Sequence, residues 1–362
     1  MADDASLQAL RARIDALDAE LQRLLSERAE CALEVARIKQ DGGDRPLFYR
    51  PEREAQILRR VRERNQGPLS NRTLLRLFRE IIGACLALEQ TLTVAYLGPA
   101  GTFTQAAVLA HFGHAVRTTP LPAIDDVFRE VEAEAADFGV VPVENSTEGV
   151  VGHTLDRLVH SSLCICGEIL LPIHQQLLSR AAGLKEIERI YAHQQSLAQC
   201  REWLDANLTQ VERIPVASNG EAARLAAKDS SSAAIAGRIA AELNELSVLA
   251  ANIEDDPENA TRFLVLGRQP VDPSGHDKTT LLVAAPNRPG LLHRLLAPIA
   301  DNGVNMTRIE SRPSRRARWD YLFFIDLEGH AEDPAVARTL RELERIADFC
   351  RVLGAYPTDI NS

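Results

Sequence analysis

Apolar side chains along residues 7 to 39 recur at alternating steps of three and four: Leu7, Leu10, Ile14, Leu17, Leu21, Leu24, Cys31, Val35 and Ile38. That spacing predicts one long heptad-like helix. It stops at Gly42-Gly43, Pro51 is placed to open a second helix that ends before Gly67-Pro68, and a third follows Ser70 with Leu74, Phe78, Ile81, Cys85 and Leu88 on one stripe. From Thr93 the pattern changes to short apolar runs alternating with helical segments: TVAYL, then a glycine loop and helix, then FGVVPV at 138–143. This predicts an α/β domain with a largely parallel sheet, continuing to about Pro270. After a linker, VDPSGHD, the order is strand 279–285, helix 290–301, strand 304–310, strand 319–327, helix 333–346 and strand 349–355, that of a ferredoxin-like βαββαβ unit. The chain is therefore expected to be multidomain, with an all-α unit at 1–92, an α/β unit at 93–270 and a smaller α+β unit at 277–357, each with its own core.

Composition changes this picture little but narrows the partners. A chain of 362 residues with 45% hydrophobic and 25% charged side chains is long enough for several ordinary globular cores. No apolar run approaches the length of a membrane span, and the start MADDASLQALRARIDALD lacks a signal peptide's apolar core, so a cytoplasmic protein with no membrane partner is expected. The formal net charge of −10 argues against broad nucleic-acid binding, so anionic ligands must be met by local basic clusters. Six scattered cysteines (31, 85, 164, 166, 200 and 350) read as reduced, buried small hydrophobes, and nine histidines form no ligand spacing; no metal and no cofactor is expected.

Within the first helix, Arg28 takes a core position of the stripe, seven residues after Leu21 and seven before Val35. A buried, unpaired guanidinium is costly, so it either reaches solvent or meets an anion. Lys39 lies three turns on, about 16 Å along the same face, and Arg11 flanks the seam near the other end. Three cations beside one seam suit a dianion. This stretch resembles the all-helical chorismate mutase domain, a three-helix protomer that dimerises by intertwining its long first helices. The resemblance implies that Arg11 reaches into the partner's site and that Arg28, Lys39, Arg53, Glu54, Cys85 and Glu89 line the protomer's own, with Cys85 standing where the family often has serine. Chorismate would be clamped through its carboxylates, with Lys39 and a protonated Glu89 at the ether oxygen.

The α/β unit carries three segments at strand ends: GPAGTFTQAA (98–107), VPVENSTEG (141–149) and NATRFLVLG (259–267). The second sets Glu144, Asn145 and Ser146 beyond an apolar run, where α/β proteins bind ligands, and the third sets Thr261 and Arg262 at the mouth of another strand. Asn/Ser capping of a helix is the structural alternative for the second. Together they resemble prephenate dehydratase over about 93–267. That implies a two-lobed α/β fold like a periplasmic binding protein, crossing to the second lobe near Pro172 and returning near Leu249. It also implies a cleft lined by Glu144, Asn145, Ser146, Gln199, Thr261, Arg262 and Phe263, and a catalytic role for Thr261. Arg262 or Asn145 is expected to hold a carboxylate of prephenate. Ala192 and Gln175 stand where the family usually has serine and histidine, with His193 and His174 beside them.

The last unit contains Arg288-Pro289-Gly290 before a helix and Glu310-Ser311-Arg312-Pro313 closing a strand. It resembles the ACT regulatory domain fused to prephenate dehydratases, which implies a phenylalanine effector bound by Pro289, Gly290, Leu291, Glu310, Ser311 and Arg312 at a dimer interface. Together the three resemblances imply a homodimeric enzyme of phenylalanine biosynthesis that joins chorismate mutase and prephenate dehydratase activities. A dehydrogenase in place of the dehydratase would need a glycine fingerprint of dinucleotide binding, and none follows residue 93. A non-catalytic amino-acid sensor would not need the cationic set beside the helical seam.

Overall fold

A computed structural model describes residues 2–41, 49–285, 288–313 and 321–360; the expected helix stop at Gly42-Gly43 lies outside them. The first unit is three helices, α1 (Ala2–Asp41), α2 (Pro51–Arg64) and α3 (Asn71–Glu89). Pro51 opens α2, where its missing N–H costs nothing, and Ser70 caps α3 by accepting from the Thr73 amide at 3.2 Å. Most of the α1 stripe, from Leu7 to Leu25, is exposed; α3 packs on α1, and Arg28 Nη1 reaches the Ile81 carbonyl at 3.4 Å.

The first lobe of the second unit runs β1 (Thr93–Leu97), α4 (Phe103–Phe112), β2 (Arg117–Leu121), α5 (Ile124–Glu132), β3 (Phe138–Asn145), β4 (Gly149–Val150), α6 (Gly152–His160) and β5 (Cys164–Pro172). The chain then builds a second lobe from β6 (Gln176–Ser179), β7 (Arg189–His193), α7 (Gln194–Gln199), α8 (Arg201–Asn207), β8 (Glu212–Val216), α9 (Asn219–Ala226), β9 (Ser232–Ala236), α10 (Arg238–Asn244) and β10 (Ser247–Ala250), and returns to the first as β11 (Ala260–Gly267). The lobe sheets have orders β2-β1-β3-β11-β5 and β10-β6-β9-β7-β8. Ala260 pairs with Pro172, so the two crossings lie side by side. Neither sheet is largely parallel, as the pattern had suggested. β11 is antiparallel to β3 and β5, and β6 to β9 and β10, because a strand returning from the other lobe enters from the opposite end.

The last unit is β12 (Asp277–Ala285), α11 (Leu291–Asp301), β13 (Met306–Pro313), β14 (Tyr321–Glu328), α12 (Pro334–Ile346) and β15 (Phe349–Pro357), an antiparallel sheet of order β13-β14-β12-β15. One face buries Leu281, Val283, Phe323 and Ile325 under α11 and α12. The other presents Leu282, Phe324, Leu353 and Tyr356 to the first lobe, where they join Val141, Leu264 and Leu266 in one core. The units therefore share cores. Tyr49 is buried with Phe112, Phe138 and Phe263, and Ala55, Leu58 and Leu75 close over Ile360 from the chain's end. The cysteines are all free, but only Cys85, Cys166 and Cys200 are buried; Cys31 is exposed on α1.

Candidate active sites

The helical unit encloses a cleft of about 370 Å³ between α1, α2 and α3. Helical periodicity brings Arg28, Lys39, Arg53, Glu54, Cys85 and Glu89 to it from one chain. Arg11 is not among them: it lies 17 residues before Arg28, about 25 Å along the helix. Lys39 Nζ is 3.9 Å from Glu89 Oε2. Burial pushes the Glu89 carboxyl up from its usual range, against the pull of Lys39 and Arg28. The cleft thus joins the cations Arg28, Lys39, Arg50 and Arg53 with an acid biased toward its neutral, proton-donating form. It can fix a dianion and meet charge developing between its carboxylates.

At the edge of the first-lobe sheet, β3 and β11 pair Asn145 with Thr261 and Glu144 with Arg262. Residues adjacent along a strand point to opposite faces, so each pair serves a different side. On one side, the Asn145 amide is fully fixed. Its Oδ1 accepts the amides of Thr147 and Glu148 at 3.0 Å each, so its Nδ2 must face Asn259 Oδ1 at 2.9 Å, the Ala260 carbonyl at 3.1 Å and Thr261 Oγ1 at 2.9 Å. Thr261 is held as an acceptor from Asn145, which leaves its own hydroxyl hydrogen free to donate. Asn259, 2% exposed, also accepts from Thr147 Oγ1 at 3.0 Å and Ser146 Oγ at 3.4 Å. Sequence reasoning missed this residue although it stands two places before Thr261 in the same segment; an asparagine between the turn-forming run Asp255-Asp256-Pro257 and a strand was the available signal.

On the other side, Arg262 faces away from the cleft into the last unit. Its Nε bonds Glu168 Oε2 at 2.8 Å, its Nη1 bonds Asp326 Oδ2 at 2.7 Å and its Nη2 bonds the Tyr356 hydroxyl at 3.0 Å. Lys278 Nζ and Thr280 Oγ1 complete this cluster, each 2.7 Å from Glu168 and Asp326 respectively. Glu144 likewise pairs with Arg308 of β13, Oε2 to Nε at 2.9 Å. Arg262 and Asn145, the two residues expected to hold a carboxylate, thus make several bonds within the protein; Glu144 pairs with β13; and Phe263, 2% exposed, packs in the core.

The glycine loop of 98–102 faces the second lobe, where a Cβ on Gly220 would lie 2.3 Å from the Ala100 carbonyl. Beyond it, Gln175 Nε2 bonds Ser196 Oγ and Gln199 Oε1, both at 3.2 Å, and His193 caps α7 through Nδ1. His174 is held by Glu254, Nδ1 to Oε1 at 2.7 Å. In β13, Glu310 and Arg312 alternate with the exposed Ser311, and Arg312 Nη2 bonds Asp156 Oδ1 of α6 at 2.8 Å. Gly290, at φ +78, a conformation that favours glycine, opens α11 ahead of the buried Leu291, with Pro289 exposed beside it.

Three family models match the chain: Chorismate mutase type II over 10–90, Prephenate dehydratase over 94–271 and ACT domain over 279–345. A bifunctional chorismate mutase/prephenate dehydratase of Pseudomonas aeruginosa is 55% identical over 99% of this chain and 99% of its own. One of Neisseria gonorrhoeae is 50% identical over 97% and 96%. Among solved structures, the prephenate dehydratase of Arthrobacter aurescens in complex with L-Phe is 38% identical, covers 74% of this chain and 90% of its own, and superposes with a TM-score of 0.68.

Proposed function

We propose the following division of labour for this chain, which belongs to the bifunctional chorismate mutase/prephenate dehydratase family. The enzyme rearranges chorismate to prephenate, then removes the ring hydroxyl and ring carboxylate of prephenate to give phenylpyruvate, carbon dioxide and water. The first step takes place in the helical cleft. It needs no covalent or acid-base step, so Arg28, Lys39 and Arg53 act by holding the carboxylates in a near-attack geometry. Lys39 and protonated Glu89 meet the charge that grows on the ether oxygen. Arg11 serves the cleft of a second copy, and the exposed α1 stripe is where the two copies join as a homodimer.

The second step takes place at the β3–β11 edge. Prephenate, a dianion, takes up one proton as it becomes the phenylpyruvate monoanion, carbon dioxide and water, so the departing hydroxide must be met by a donor. The observation that carries this assignment is the fixed Asn145 amide, which directs the Thr261 hydroxyl hydrogen outward. Ser146 and Gln199 shape the cleft; carboxylate binding falls to groups other than Arg262 and Asn145.

Phenylalanine acts as feedback effector through Pro289, Gly290, Leu291, Glu310, Ser311 and Arg312. The L-Phe complex of the Arthrobacter relative supports this. Units at 1–92, 93–270 and 277–357 carry the three tasks. The enzyme works in the cytoplasm; no described helix is long and apolar enough to cross a membrane. Purified protein given chorismate should consume it and release phenylpyruvate, with less product when phenylalanine is added. Accumulation of prephenate by folded protein, with no phenylpyruvate, would overturn the assignment of the second site.

A further inference from the structure

Tyr49 stands where all three units meet. It precedes α2, yet it is 5% exposed and its ring lies 5.2 Å from that of Phe138 in β3, edge-on, and 5.4 Å from that of Phe112 at the end of α4. Its hydroxyl is 3.1 Å from Nε2 of His111. The same side chain lines the mutase cleft and a second cavity of about 30 Å³, bounded by Arg79, His111, Glu168 and Asp359. Glu54 is common to both cavities.

Burial, with Arg79 nearby, pushes His111 down to about 3, so its ring is neutral. Burial also pushes the Tyr49 phenol well above its usual range, so it keeps its single hydrogen. Burial raises Glu54 to about 7 while Arg79 and a hydrogen bond from Tyr49 pull it back. A Tyr49 hydroxyl that keeps its hydrogen can donate to Glu54 while its oxygen accepts from an Nε2–H tautomer of His111. In that arrangement the bonds run from His111 through Tyr49 to Glu54.

We propose that Tyr49 is a positioning residue for the mutase: anchored by His111 of the dehydratase domain, it holds the Glu54 carboxylate at the wall of the mutase cleft. The dehydratase domain thereby completes the mutase site. This rests on the mutase reading of that cleft. His111 sits at the C-terminal end of α4, whereas the glycine loop facing the second lobe precedes its N-terminus, so the dehydratase site does not use it.

Three full-length variants test the chain of bonds, each assayed separately with chorismate and with prephenate. Tyr49→Phe keeps the packed ring and loses the hydroxyl, His111→Leu loses the donor, and His111→Gln keeps an N–H donor. The first two should raise the KM for chorismate about tenfold, the scale of one hydrogen bond to a charged group, with kcat little changed. His111→Gln should restore most of that loss, and the constants for prephenate should stay near wild type in all three. Unchanged chorismate kinetics in Tyr49→Phe and His111→Leu would overturn the proposal, as would a parallel loss of both activities, which general destabilisation produces. Glu54→Ala separates the two levels: if it leaves the mutase intact, Glu54 has no place in the site. If it impairs the mutase while Tyr49→Phe does not, the positioning role alone fails.

Discussion

The mutase cleft and the dehydratase edge fix their functional groups by different means. In the first, cations from α1 and α2 converge with Glu89 of α3 on one cavity, where Lys39 Nζ approaches Glu89 Oε2 to 3.9 Å. In the second, Asn145, Asn259, Ser146 and Thr261 restrain one another through hydrogen bonds of 2.9 to 3.4 Å, and register decides which side chain meets the cleft. A rearrangement needs charge in the right place, which long side chains supply when substrate arrives. Protonating a leaving group needs one hydrogen aimed in one direction, which only a locked network supplies.

That contrast makes the dehydratase more sensitive to small changes. Thr261→Val keeps the shape and removes the aimed hydrogen, so turnover of prephenate should fall roughly 100-fold or more while chorismate turnover is unchanged. Arg262→Ala tests the opposite face of the same strand. It leaves Glu168 and Asp326 partly unpaired in a buried cluster, so it should cost about 3–5 kcal/mol of stability, read as a lower midpoint of unfolding. A raised KM for prephenate without loss of stability would return Arg262 to the substrate.

Strand alternation was legible in the sequence and sets the lesson. Thr261 and Arg262 are neighbours in one extended segment, so they could not both line the cleft. The helical cations line one cleft because residues 11 positions apart, such as Arg28 and Lys39, return to one helix face. What the pattern did not carry was the crossing between units: nothing in the sequence marks Tyr49 as part of a sheet's core or Arg308 as the partner of Glu144. For the same reason truncation after Pro270 is a blunt test of feedback, since it also uncovers the face of Leu264 and Leu266.

The mutase side predicts a shift rather than a loss. If Glu89 must be protonated, activity falls as pH rises through its pKa, which burial already holds above the ordinary carboxylate range. Glu89→Gln, a permanent donor, should keep mutase activity at higher pH and leave the dehydratase profile alone. Identical mutase profiles in both proteins would remove the protonated acid. The smallest effect is expected at Arg308→Ala, which frees Glu144 from β13. Basal activities should hold, and inhibition by phenylalanine should weaken several-fold, the scale of a partly exposed ion pair. Unaltered inhibition would route the effector's influence elsewhere.

The claim that one chain carries two chemically separate sites is tested most directly by Arg28→Ala, assayed with each substrate in turn. Arg28 reaches the Ile81 carbonyl in the helical unit and bears no bond to the β3–β11 edge. Chorismate consumption should be lost, and phenylpyruvate formation from added prephenate should remain near the wild-type rate. Loss of both activities in a variant that remains folded would contradict the account and point to a single shared site.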